Sequence, residues 1–245
     1  MIILSVGMPR AGSGWYYNLT NDLALAAGYQ DARQIRQRYH LRSILTEVNC
    51  NIGALTPRRL AMVMIPSLLG NSFVIKAHAG PTPAALRLIR HGWLRVAYIY
   101  RDPRDAMLSA YENGQKALER GRPNAFSSLT DFDVSLNFIL DYVKISQEWM
   151  KLDQVLHTCY EDLVSDYSNE ADRLVKFLNL DRNAPAIGQV LEKYRPVQAA
   201  QADQKGLHFS KGRSGRFRQK YTPEQQAILT EQLGTYLQEM DYELN

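Results

Sequence analysis

A short apolar run, Ile2 to Val6 with Ser5 its one polar residue, stops at Gly7, and a helical period takes over at Gly14. Bounded by Gly7 and Pro9, so short a run reads as a buried strand, not a helix. The succession recurs. Phe73 to Ala77, Arg95 to Tyr100 and Val155 to Cys159 read as further buried strands. Between them lie helical segments: Gly14 to about Ala27, with Leu19, Leu23 and Ala26 or Ala27 on one face; Pro103 to about Asn113; Asp131 to Trp149, through Leu136, Ile139, Leu140 and Val143; and Asn169 to Leu178. Thr222-Pro223-Glu224-Gln225 is a capping box that opens the last helix. Residues 28–70 show no clear period, 114–130 read as a polar Gly/Pro/Ser-rich loop, and 197–218 as irregular and basic. Strands alternating with helices predict an α/β fold with a central parallel sheet covered by helices on both faces. There is neither a linker nor an internal repeat, so one domain spanning 1–245 is expected.

Composition narrows the function classes. With 245 residues, 45% hydrophobic and 22% charged, the chain can bury a large core without staples and is neither collagen-like nor disordered. Lys and Arg number 29 against 25 Asp and Glu, a net charge of +4. That excess suits a polyanionic small molecule and is too thin for a phosphate-backbone footprint, so nucleic acid is not an expected partner. Cys50 and Cys159 read as reduced, buried thiols, and two thiols cannot form a structural zinc site. No apolar stretch reaches the ~20 residues of a membrane span, and MIILSVGMPR does not read as a signal peptide. A cytoplasmic protein with no membrane partner is expected; its oligomeric state is left open.

The segment Gly7-Met8-Pro9-Arg10-Ala11-Gly12-Ser13-Gly14-Trp15 joins the first strand to the first helix. A loop there presents unpaired backbone N–H groups and the positive end of the helix dipole, a site suited to phosphate. Gly7 and Gly12 have nearly the spacing of the nucleoside-triphosphatase loop, but Ser13-Gly14 stands where Lys-Ser/Thr should follow. The group that reaches the terminal phosphates and the magnesium hydroxyl are both missing. Taken alone, the loop also fits a glycine-rich turn with no ligand.

A second segment, Arg101-Asp102-Pro103-Arg104-Asp105 with Ser109 following, puts an arginine at the end of a buried strand and a serine about two turns on. Such a pair can grip a second phosphate from two directions. Together the two segments resemble the 5′- and 3′-phosphate-binding motifs of sulfotransferases that use 3′-phosphoadenosine 5′-phosphosulfate (PAPS). Three further elements follow in the expected order: Lys76-Ala77-His78 is similar to that family's Lys-Thr-His, Tyr160-Glu161-Asp162 to its Tyr-Glu-Asp, and Lys211-Gly212-Arg213-Ser214-Gly215 to its late Lys-Gly-x-x-Gly loop.

The resemblance implies a P-loop-like sulfotransferase fold, PAPS as donor and PAP as product, with no metal. It implies that Arg10, Ala11, Gly12, Ser13, Gly14 and Trp15 hold the 5′-phosphate side, with Trp15 packed on the adenine and Tyr160 approaching it. Arg101, Ser109, Lys211, Gly212 and Arg213 are implied at the 3′-phosphate. His78, titrating near working pH, is implied as the general base for a hydroxyl or amine of a small polar acceptor. Arg10 and Lys76 are implied to stabilise charge on the sulfate and the bridging oxygen. The sequence departs from the family at Arg10 for lysine, Ser13-Gly14 for Thr-Thr, Ser210 for arginine and Arg216-Phe217 for an Asp-Trp-like pair. A P-loop nucleotide or metabolite kinase is the alternative enzyme, opposed by the missing Gly-Lys-Ser/Thr. Segments 28–72 and 113–130 are the expected acceptor loops. Within the first, Arg33, Arg36, Arg38 and Arg42 read as a solvated face or part of an acceptor-side lid.

Overall fold

The computed structural model describes residues 1–202, 206–207, 212 and 214–244. In chain order the elements are β1 (Ile2–Gly7), α1 (Ser13–Ala26), α2 (Ala32–Arg38), a short 3-10 turn (Leu41–Ser43), α3 (Pro57–Leu68), β2 (Phe73–Ala77), α4 (Pro83–Arg90), β3 (Leu94–Tyr100), α5 (Pro103–Glu119), α6 (Phe132–Met150), β4 (Leu156–Cys159), α7 (Tyr160–Ser165), α8 (Tyr167–Phe177), α9 (Pro185–Lys193), α10 (Pro196–Gln201), α11 (Phe217–Lys220) and α12 (Pro223–Glu239). They cluster into two compact units. The first comprises Met1–Gly7, Gly12–Tyr100 and Glu148–Gly212; the second Met8–Ala11, Arg101–Gln147 and Arg213–Asn245.

The first unit is built on a four-stranded parallel sheet of order β2-β1-β3-β4. All six residues of β1 are buried, as a central parallel strand requires. The register pairs Ile3 with Val74, Ser5 with Lys76 and Ala97, and Gly7 with Ile99, so these side chains share one face. On that face Ile3, Val74, Ala97 and Ile99 pack with Leu19 and Leu23 of α1, Leu174 of α8 and Ile187 of α9. Tyr16 completes the junction, its hydroxyl 3.0 Å from Thr158 Oγ1 on β4. On the opposite face Tyr98 stacks on Trp149, whose indole N–H donates to Ala79 O at 3.1 Å.

The second unit is helical. Ala106 and Met107 of α5, Leu136, Ile139 and Val143 of α6, and Leu229, Leu233, Tyr236 and Leu237 of α12 form its core together with Met8 and Ala11. Asp102 caps α5 by accepting from Arg104 N, and the Arg104 guanidinium turns back onto the same carboxylate at 2.8 Å. Arg104 also donates to the carbonyls of Glu243 and Leu244 and lies over the Phe217 ring at 4.0 Å. A buried arginine this well supplied with acceptors leaves no charge unpaired.

The expected strands, the long helix near 131–149 and the capping box at Thr222 are all present, Thr222 and Gln225 exchanging both capping bonds. Several boundaries differ. Residues 28–70 contain α2 and α3, which begin at side-chain caps, Asp31 and Thr56, too short or too mixed in polarity to show a period. Segment 197–218 is helical at both ends, in α10 and α11. Neither Cys50 nor Cys159 is in a disulfide, but Cys159 is only half-buried, its thiol donating to Glu161. The clearest correction is at α5, which runs on through Gly114 to Glu119 instead of ending near Asn113. Gly114 does not break the helix; it admits the backbone of Phe126 and Ser127, which would collide with any Cβ there. Gly114→Ala is therefore expected to destabilise by about 1–3 kcal/mol, the usual range for overpacking, although alanine is the better helix former. An unchanged urea midpoint would refute this packing role.

Candidate active site

Each segment singled out in the sequence follows the carboxyl end of a strand: Gly7 ends β1, Lys76 and His78 end or follow β2, Arg101 follows β3 and Tyr160 follows β4. In open parallel sheets this is the end at which ligands bind.

In the first unit, Gly7 has no room for a side chain. A Cβ there would lie 2.7 Å from Ile99 Cγ2 and 2.8 Å from Ser13 Cβ. Gly12 adopts the left-handed conformation (φ 74°) with the Tyr160 ring where a Cβ would project. From there α1 starts with no side-chain cap and no acidic residue in its first turn, leaving its amide N–H groups directed at the loop. Ser13 is buried beside them. Trp15, whose ring the resemblance packs on the adenine, is covered by protein instead. It is 0% exposed, its N–H donates to Tyr194 O at 3.0 Å, and its ring stacks on Tyr167 at 6.1 Å. Tyr160 is likewise buried, edge-on to Trp15 at 6.3 Å, so both rings support the loop from beneath.

Lys76 is buried on β2, held on one side by β1 and on the other by Cys50 and Ile52, which exchange backbone hydrogen bonds with it at 3.2 and 2.9 Å. Two residues on, His78 Nδ1 lies 2.6 Å from Gly7 O. A carbonyl only accepts, so Nδ1 carries the proton and Nε2 presents its lone pair. Burial, then repulsion from Lys76, push the imidazole down to about 4, against a smaller opposing effect of the Gly7 bond. The expectation that His78 titrates near working pH is thus corrected: in the free protein it is a neutral base of fixed tautomer.

In the second unit Arg10 takes a positive φ of 66°. Its Nε donates to Ser109 Oγ at 3.2 Å, and its carbonyl accepts from Arg101 Nη1 at 3.3 Å. Three residues expected from two separate motifs are thereby brought together. Arg101 is buried and also faces Asp105, whose Oδ2 lies 3.4 Å from Nη2. Asp105 was not among the expected site residues; its signal was the i,i+4 spacing from Arg101 at the start of a helix. Gly212 is described with a positive φ of 56°, whereas Lys211, Arg213 and the departure at Ser210 lie outside the described residues.

A profile of the sulfotransferase domain matches residues 2–241, nearly the whole chain. The chain belongs to the sulfotransferase family. Solved sulfotransferase structures share its fold. A mouse sulfotransferase, SULT7A1, complexed with PAP, is similar with a TM-score of 0.61 and 14% identity over 97% of this chain and 84% of that one. Retinol dehydratase in complex with androsterone and the inactive cofactor PAP is similar with a TM-score of 0.62 and 18% identity, over 100% of this chain and 82% of that one. No curated protein sequence matches the chain.

The structure accounts for two departures of this sulfotransferase from its family's pattern. At Gly14, a Cβ would lie 2.7 Å from both Gly206 O and Leu207 O, so no threonine fits. Asn18 Nδ2 bonds Gly14 O at 2.7 Å and Gly206 O at 3.3 Å, and Asn49 Nδ2 bonds Gly206 O at 3.2 Å, fastening residues 206–207 against α1. Arg216 pairs with Glu112 at 2.6 Å, which explains a cation in place of an acid there. The arginines of α2 are not simply a solvated face: Arg33 donates to Val48 O and Arg36 to Leu45 O, stapling 45–48 to the helix. Gly14→Ala is expected to lower stability by about 1–3 kcal/mol, because the atoms it meets are backbone and cannot swing aside. A melting temperature equal to that of the wild type would show that residues 206–207 do not rest on α1.

Proposed function

We propose that this sulfotransferase takes its sulfuryl group from PAPS and delivers it to a hydroxyl or amine of a small polar acceptor, with His78 as general base. The observation that carries the reading is the meeting of the two phosphate motifs at Arg10, whose side chain reaches Ser109 and whose carbonyl is held by Arg101. The uncapped start of α1 fits an anionic donor, since backbone N–H groups of Gly12 to Trp15 and the Ser13 hydroxyl are the groups a 5′-phosphate needs. Arg101 and Ser109 are assigned to the 3′-phosphate, with Lys211, Gly212 and Arg213 completing that grip. When bound, the donor supplies an electron-poor sulfuryl group on a phosphate leaving group.

The chain's own residues meet the remaining needs. Arg10 stays protonated and neutralises charge without giving up a proton, and Lys76 adds a second cation. His78 Nε2, left as acceptor by the Nδ1–Gly7 bond, takes the proton of the acceptor hydroxyl or amine. None of these steps calls on a metal. The acceptor is assigned to segments 28–72 and 113–130, whose polar, arginine-bearing character suits a polar metabolite. The reading treats residues 1–245 as one functional domain acting in the cytoplasm. Among the described residues no helix is long and apolar enough to cross a membrane.

PAP should raise the melting temperature markedly and ATP much less; ligand at a hundred times its dissociation constant adds about 2.7 kcal/mol. Equal shifts from the two nucleotides would remove the dedicated 3′-phosphate site.

His78→Ala should lower kcat by roughly 10²–10⁴-fold while PAP affinity survives. The sign of the pH dependence follows from the depressed imidazole: the neutral form is required and is lost only as pH falls through about 4. The His78-dependent acid limb of kcat/KM for the donor should therefore lie near 4. A His78-dependent limb near 6.5 would overturn the depressed imidazole, and a stable His78→Ala protein with normal turnover would remove His78 from the mechanism.

A further inference from the structure

Asp105 stands apart from the residues so far given a role. It is 1% exposed, lies in the first turn of α5, and belongs to no expected contact with either substrate. Three donors converge on its carboxylate. Oδ2 accepts from Gly215 N at 2.6 Å and faces Arg101 Nη2 at 3.4 Å, while Oδ1 accepts from Phe217 N at 3.1 Å. A carboxylate can satisfy all three because it is acceptor-only on both oxygens. The neighbouring contacts act in the same direction: Glu112 holds Arg216 at 2.6 Å, and Arg104 covers the Phe217 ring. Residues 215–217 are thus fastened to the helix that carries Ser109 and follows Arg101. The carboxylate that faces Arg101 also accepts from the backbone of Gly215 and Phe217.

We propose that Asp105 is a positioning residue for 3′-phosphate selectivity: it sets the direction of the Arg101 guanidinium and pins the Gly215–Phe217 backbone to α5. The proposal deepens the assignment of Arg101 and Ser109 to a 3′-phosphate and rests on it. Direct contact is not its mode of action, since a carboxylate repels phosphate. That opposition gives the test a sign. If Asp105 acted only as a nearby negative charge, neutralising it would tighten binding of a 3′-phosphorylated nucleotide. If it positions Arg101, neutralising it loosens binding. Asp105→Asn keeps the shape but turns an amide N–H₂ toward at least one of the three donors, leaving that donor without its acceptor.

The experiment is titration calorimetry of the full chain with PAP and with adenosine 5′-monophosphate, for wild type, Asp105→Asn and Glu112→Gln. Wild type should prefer PAP. Asp105→Asn should lose about tenfold or more of PAP affinity, the scale of a hydrogen bond to a charged group, with the monophosphate unchanged. Glu112→Gln, which frees Arg216 at a half-exposed pair, should lose a smaller part of the same preference. Tighter or unaltered PAP binding by Asp105→Asn overturns the proposal, as does parallel weakening of both nucleotides with a lowered melting temperature. Should Asp105→Asn fail to fold, Glu112→Gln decides alone, and an unchanged preference counts against the proposal. A wild type that does not distinguish the two nucleotides overturns instead the assignment on which the proposal rests.

Discussion

Gly7 is the point on which the first unit turns. It closes the central strand with Ile99 and Ser13 packed where a Cβ would stand, so α1 can begin directly against the end of the sheet. The carbonyl of the same residue holds His78 Nδ1. A single residue without a side chain therefore sets how close the amide-rich start of α1 comes to β1 and which imidazole nitrogen remains to accept a proton. Gly12 and Gly14 extend the same constraint, one admitting the Tyr160 ring and the other the backbone of residues 206–207. The glycines of this loop are there for what comes close to them.

That reasoning separates what was legible in the sequence from what was not. The strand runs and the loop between β1 and α1 were legible because burial on both faces and left-handed turns leave local marks: short, largely apolar runs and glycine at fixed places. The elements inside 28–70 were not, because α2 is seven residues long and starts at Asp31, a cap without a periodic face behind it. Gly114 was misread as a helix end since its reason lies in Phe126, whose backbone it admits. The site shows the same division. Arg10, Arg101 and Ser109 were chosen from separate motifs, and the fold joins them through the bonds of Arg10 to Ser109 and of Arg101 to the Arg10 carbonyl. The covered ring of Trp15 was not foreseen, because an aromatic next to a glycine-rich loop looks alike in sequence whether its face is open or, as here, stacked on Tyr167. Asp105 was missed because its partners, Gly215 and Phe217, are more than a hundred residues away and contribute only backbone N–H groups.

The second unit shows why buried charge is tolerated here. Arg101, Arg104, Asp102 and Asp105 are all buried within five residues of sequence. Desolvating such groups is unfavourable unless each finds good partners, and an apolar cluster of equal volume would often be as stable. The arrangement is therefore weak support for stability alone. It does fix direction: Arg104 is committed to Asp102 and the C-terminal carbonyls, which leaves Arg101 as the arginine facing both Asp105 and the loop carbonyl of Arg10. Two arginines three residues apart thus have different tasks, one structural and one directed at the loop.

The depressed imidazole of His78 carries the argument one step further. A base held near 4 is always ready to accept a proton at neutral pH but is a weak one. Its two depressing causes differ in kind. Burial is built into the fold, whereas the repulsion from Lys76 depends on what stands beside that ammonium. An anion placed against Lys76 cancels part of the repulsion and returns basicity to Nε2. Nε2 is therefore the stronger proton acceptor whenever anionic charge stands beside Lys76, a coupling that follows from the repulsion itself.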